Sequence, residues 1–225
     1  MNSMKLSSLK ITAAALFASP IFLVIETTYL IFIPLLLILF IPKIMLFRTF
    51  IMLASLGYIA LVMNKLNISI EAIGLRKKLF RECLVSLIPP VLLFFISILA
   101  IYLTFPTFTV FREILNETSF IPLPFGIAYY VLLSVPLQEI IFFGFYITRL
   151  THVTKNKIFL TLYSSSIFML IHTPYMHGRI YVPIGTFLLG LLLSSNFLKF
   201  RNIYALIAAH WCIGSLIIIL ETLRL

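Results

Sequence analysis

The sequence predicts an all-α, polytopic transmembrane helical bundle of about eight spans. Three observations carry this. Hydrophobic residues make up 62% of the 225 positions and charged residues 11%, with a mean hydropathy of +1.14, too little polar surface to cover a water-soluble globule. The apolar residues fall into runs of the length a bilayer-crossing helix needs, roughly 20 residues. The Lys and Arg residues lie mainly between those runs, where they meet lipid headgroups. The net charge of +10 therefore points to the lipid bilayer as partner and not to nucleic acid.

Taken in order, the runs place spans near 11–25, 28–46, 49–64, 83–104, 121–150, 157–173, 181–198 and 203–221. The first two part at Glu26 alone, and Pro34 and Pro42 interrupt the second. Lys5 and Lys10 ahead of an apolar stretch with small residues to Ser19 resemble a signal peptide, but a first span that stays inserted explains the same features. The 121–150 run is too long for one upright span. Thirty residues at 1.5 Å each reach about 45 Å, against a hydrocarbon core of about 30 Å. Pro136 lacks the N–H that a helix ladder uses, so a kink or break is expected there, setting Gln138 and Glu139 near the start of a new helix.

The longest polar connection, 64–82, holds Arg76, Lys77, Lys78 and Arg81 and is expected to lie along the headgroups. The loops at 65–82, 149–157 and 199–202 carry ten of the seventeen Lys and Arg residues, which favours that side as cytoplasmic; Lys5 and Lys10 argue the other way if the count is eight. No repeat or soluble domain is visible, so residues 1–225 read as one integral membrane domain, with N-terminal spans in 1–66 and a core over 121–221. Cys83 and Cys212 are isolated and fall in or beside apolar segments, as small buried hydrophobes and not a disulfide.

Chemistry is carried by few residues. All seven acidic residues are Glu, and Glu139 is the one placed well inside a predicted span. A carboxylate in hydrocarbon costs a few kcal/mol or more, so such a residue faces the bundle interior, either in a helix–helix hydrogen bond or in a site. His172 and His210 fall in later apolar runs, whereas His152 and His177 lie in loops and read as solvated. Each of the two former residues alone reads as a satisfied core residue. Two His and a Glu on three walls of one bundle can instead converge, the Glu as general base toward water and imidazole N–H groups toward an oxyanion. Other intramembrane chemistries find no support: there is no H-E-x-x-H string, there is no Asp for an aspartyl pair, and the hydroxyls of Ser164, Ser165 and Ser166 lack a Gly-x-Ser-Gly context and suit close helix packing.

These residues resemble the motifs of the CPBP intramembrane protease family, also called Abi, which includes type II CAAX prenyl endopeptidases and bacteriocin self-immunity proteins. Its Glu-Glu-x-x-x-Arg motif, usually followed by Gly, aligns with Gln138, Glu139, Phe143 and Gly144; Phe-x-x-x-His is intact as Phe168 and His172; and His-x-x-x-Asn or Asp aligns with His210 and Gly214. "IGLRKK" at 73–78 also resembles the segment ahead of the family's core, so the likeness runs over about 70–221, with a CPBP-like catalytic core at 121–221.

The resemblance implies an intramembrane endopeptidase, with Glu139, His172 and His210 catalytic and Gln138, Phe143, Phe168 and Gly214 supporting or contacting substrate. It implies a glutamate mechanism without metal or other cofactor, a membrane-anchored peptide or protein as substrate, and residence in the cytoplasmic (inner) membrane of a prokaryote. Glu139 and the two His residues are also a three-ligand set of the kind a catalytic zinc uses. Three departures bear on activity. The family's water-activating first Glu is Gln138, whose amide orients water but takes no proton, its Arg is Phe143, and its final polar residue is Gly214. The alternative is a non-catalytic member that binds a membrane peptide or confers bacteriocin immunity.

Overall fold

The computed structural model describes residues 15–17, 19–41, 47–105, 123–173 and 180–223. Seven helices, with a short helical piece at 15–17, and no strand occur among them. α1 covers 20–40, α2 Arg48–Leu66, α3 Phe80–Thr104, α4 123–150, α5 Lys157–Leu170, α6 Tyr181–Phe200 and α7 Ile203–Thr222. Six of them, all but α5, are long and apolar enough to cross a membrane. The all-α polytopic bundle expected from composition is what forms.

The separate spans expected at 11–25 and 28–46 are not separate where described. α1 runs through Glu26 without a break, starting at Pro20 with the Ser19 hydroxyl accepting from the Phe22 N–H. Glu26 stays inside the helix because its carboxylate is buried against the Arg149 guanidinium, 3.2 Å away. The run at 157–173 yields only the 14-residue α5, about 21 Å long and short of a hydrocarbon core. The tract 1–14, the loop residue His177 and the stretch 106–122 lie outside the described residues.

α4 is the central element. In its candidate span 61% of residues are buried, against 6% in α3, which therefore sits at the rim facing lipid. The core joins Cys83 and Leu87 of α3, Val135, Phe143 and Ile147 of α4, Phe168 of α5, Leu193 and Phe197 of α6, and Ile203 and Leu206 of α7. Cys83 behaves as the buried hydrophobe expected; Cys212 instead is exposed, and both thiols are free.

Pro136 does not break α4, so the break open from the sequence does not form and Gln138 and Glu139 do not start a new helix. The helix continues through it, with π-helical stretches at Tyr130–Ser134 and Glu139–Ile147 on either side of a short α segment, Val135–Gln138. The Val135 N–H reaches back five residues to the Tyr130 carbonyl, so the chain absorbs the proline by a change of hydrogen-bond register.

α5 and α6 pack closely through small residues. A Cβ on Gly190 would come within 3.0 Å of the Ser165 Cα, and Ser165 and Ser194 are fully buried with hydroxyls 3.4 Å apart. The close-packing role read for the serine run therefore holds at Ser165.

The "IGLRKK" stretch is a clamp between α4 and the α6–α7 turn. Gly74 adopts φ +89, and its carbonyl accepts from the Ile203 N–H at 2.9 Å. A Cβ on Gly144 would meet the Ile73 carbonyl at 2.7 Å, so only Gly lets the loop backbone lie on α4. Arg76 donates to the carbonyls of Phe200 and Arg201, while Asn202 caps α7 through the Ala205 N–H and donates to the carbonyls of Arg76 and Lys78. This clamp holds α4 and α7 at a fixed register.

Candidate active site

Glu139 opens the second π stretch of α4, and His210 lies at the midpoint of α7. Glu139 is fully buried, His210 nearly so, and His210 Nδ1 is 2.7 Å from Glu139 Oε1. The second carboxylate oxygen, Oε2, is buried with no hydrogen-bond partner among the described residues. A carboxylate with one oxygen anchored and one bare is oriented to take a proton from a fixed direction.

His172 follows the C-terminus of α5. Its Nδ1 is 2.7 Å from the Phe168 carbonyl, which can only accept, so this nitrogen carries the hydrogen and Nε2 of the neutral ring is the acceptor. His210 in its neutral form, donating Nδ1–H to an ionised Glu139, likewise has Nε2 as acceptor. Phe168 joins the two imidazoles: its ring centroid is 4.7 Å from that of His172 and 5.8 Å from that of His210.

Gln138, next to the carboxylate, donates its amide to the Ser134 hydroxyl at 3.0 Å and has its own carbonyl oxygen buried without a partner among the described residues. Phe143 is fully buried and packs on Phe168 with centroids 5.1 Å apart, so apolar ring stands where a guanidinium would. Gly214 lies one turn after His210, and a Cβ there would fall on the hydroxyl of Tyr130.

Residues 120–216 match the family model of the type II CAAX prenyl endopeptidases, Rce1-like. This stretch is Rce1-like. It contains every candidate site residue, from Gln138 to Gly214, and bears out the resemblance read from the three motifs. The match spans somewhat less than half of the chain. No curated protein and no solved structure matches.

Within the Rce1-like segment the structure brings Glu139 and His210 into direct contact and joins His172 to them through Phe168. Among the described residues, no three His, Cys, Asp or Glu side chains are grouped closely enough to hold one metal ion. The three-ligand arrangement open from the sequence is therefore not formed. Glu139 is also not alone: Glu26 and Glu221 are buried too, the first against Arg149 and Tyr58, the second accepting from the Tyr102 hydroxyl at 2.6 Å. Both are structural pairs remote in sequence from their partners, which is why distance from a span end failed to find them. Tyr130, edge-on to His210 with centroids 6.1 Å apart, is a further site residue that no motif marks. On a helix of 3.6 residues per turn it lies half a turn from Glu139; the π register between them defeats that projection.

Proposed function

We propose that the chain is an intramembrane endopeptidase in which Glu139 is the general base. The observation that carries this reading is the buried Glu139–His210 pair, one carboxylate oxygen anchored at 2.7 Å and the other bare. His210 Nδ1–H fixes the carboxylate, and Glu139 Oε2 takes a proton from water as the water oxygen bonds to the peptide carbonyl carbon. Neutral His172, with Nδ1–H tied to Phe168, offers its Nε2 lone pair to the water's second hydrogen. The protonated Glu139 then gives its proton to the amide nitrogen as the C–N bond breaks, leaving one carboxyl and one amine product.

No step is assigned to a metal. Gln138 and Phe168 support the pair, and the substrate is a membrane-anchored peptide or protein. The matched family's name makes a prenylated CAAX peptide the first probe, and the setting is the cytoplasmic membrane of a prokaryote. Glu139→Gln keeps the shape and loses the basicity. It should lower cleavage of an internally quenched farnesylated CAAX peptide by at least about 10²-fold in proteoliposomes, with insertion and thermal midpoint unchanged. Full cleavage by Glu139→Gln would overturn the reading.

A second reading, a peptide-binding member without catalysis, is favoured by Gln138 and the fully buried Phe143, which put an amide and a ring where the family has a carboxylate and a guanidinium. It predicts retention of the farnesylated peptide without turnover.

A further inference from the structure

The hydrogen-bond inventory of the site leaves one role unfilled. Hydrolysis of a peptide builds negative charge on the carbonyl oxygen, and that charge needs an N–H or O–H donor. His210 Nδ1 is committed to Glu139 and His172 Nδ1 to the Phe168 carbonyl, so in neutral form both rings turn acceptors, not donors, toward any substrate. The nearest donors outside the pair have to be sought on other residues.

Tyr130 meets the requirement. It lies on α4 two turns before Gln138, half-buried, its ring edge-on to His210 at 6.1 Å and 82°. Its hydroxyl occupies the space beside Gly214 where a side chain at that position would begin, with Cε1 2.9 Å from the same point, so the absence of a Cβ at 214 is what admits the phenol. Residues 210 and 214 are one turn apart on one face of α7, which puts that hydroxyl on the His210 side of the helix. Two buried donors have no partner among the described residues: Trp211 Nε1, about 100° around α7 from His210, and the Ser164 hydroxyl, on α5 one residue before the Ser165 that packs against Gly190 of α6.

We propose that the Tyr130 hydroxyl is the donor that stabilises the oxyanion in this site, delivered from α4 over Gly214 of α7. The proposal rests on the reading of Glu139 as base. It makes the pair Tyr130–Gly214 a unit: the phenol supplies the polar group, and the glycine makes room for it. No bond is made or broken at Tyr130; its proton stays on oxygen and is shared with the developing oxyanion.

The test uses the full chain in proteoliposomes and the internally quenched farnesylated CAAX peptide. Tyr130→Phe removes only the hydroxyl and should lower kcat about 10²-fold with KM unchanged, the magnitude of a lost oxyanion donor. Tyr130→Ala should be equally impaired, and adding Gly214→Asn to it should recover at least about tenfold, because the emptied space then accepts an amide N–H at the same face. Full kcat in Tyr130→Phe while Glu139→Gln is inactive overturns this proposal and leaves the base assignment standing. A raised KM at constant kcat also overturns it, by placing the phenol in substrate binding. No cleavage by the native chain overturns both.

Discussion

Removing one partner of the Glu26–Arg149 pair should be far more harmful than removing both. Side-chain exposures of 1% and 2% place the two charges out of water, with Nε and Oε2 3.2 Å apart. Arg149 also donates to the Phe17 carbonyl, and the Tyr58 hydroxyl donates to Glu26 Oε1 at 2.8 Å. Glu26→Gln keeps an acceptor for Tyr58 but strands a buried guanidinium, and Arg149→Met strands the carboxylate. Each should cost about 3–5 kcal/mol. The double variant buries no charge; its main loss is the donor to the Phe17 carbonyl, about 1–3 kcal/mol. The singles therefore sum to well above the double, with a coupling of about 3 kcal/mol or more, at the top of the range for touching residues. Unfolding of the purified chain in mixed micelles, followed by tryptophan fluorescence at increasing SDS, measures all four corners. Additivity within about 0.5 kcal/mol would refute the argument that α1 is pinned to α4 by this pair.

Gly144→Ala should cost about 1–3 kcal/mol and reduce activity, because its Cβ would press on the Ile73 carbonyl, which is backbone and cannot swing away; thermal melts and the peptide assay read both effects. Asn202→Ala loses the cap on the Ala205 N–H and two donations into the 76–78 backbone, and should cost about 2–4 kcal/mol, while Asn202→Asp keeps the cap and loses only the donations. The His152 pKa is depressed below 6.5, first by partial burial and then by the charges of Arg149, Lys155 and Arg201. Below pH 6.5 the unfolded chain therefore binds the proton more readily than the folded one, and stability falls with pH in that window. His152→Gln should flatten that acid-side slope, and NMR titration of its ring should report a midpoint under 6.5.

Hydropathy read the bundle well because burial in lipid is a property of each segment by itself. Glu139 and His210 were legible as residues that need partners inside the bundle, since a carboxylate and an imidazole in apolar helices are costly alone, and they meet at 2.7 Å. What escaped were the pairings. Glu26 looked like the end of a span, and only Arg149, 123 residues away, makes it an interior residue. Pro136 looked like a break, but a lost N–H is also accommodated by the i→i+5 register before it, a choice made by packing across α4 and not by local sequence. Gly214 looked like a missing polar group; its space is filled by Tyr130, whose place depends on that same register.

The Phe-x-x-x-His spacing has a physical basis in this geometry. Across the C-terminal end of α5, Phe168 presents its carbonyl to His172 Nδ1 four residues on, fixing that ring's tautomer, while its side chain packs on the ring of His172 and meets that of His210. One residue thus orients both imidazoles, one by backbone and the other by ring. Phe143 backs Phe168 from α4, with no exposure of its own. Phe143 and Phe168 together put apolar rings beside His210, and an apolar surrounding strengthens its hydrogen bond to Glu139. A guanidinium there would instead compete with His210 for the carboxylate. The exchange of Arg for Phe and of a polar residue for Gly214 are then linked: with no cation beside Glu139, its orientation falls to His210, and with His210 so engaged, the donor to substrate has to come from outside the pair, where α4 brings Tyr130 over the glycine.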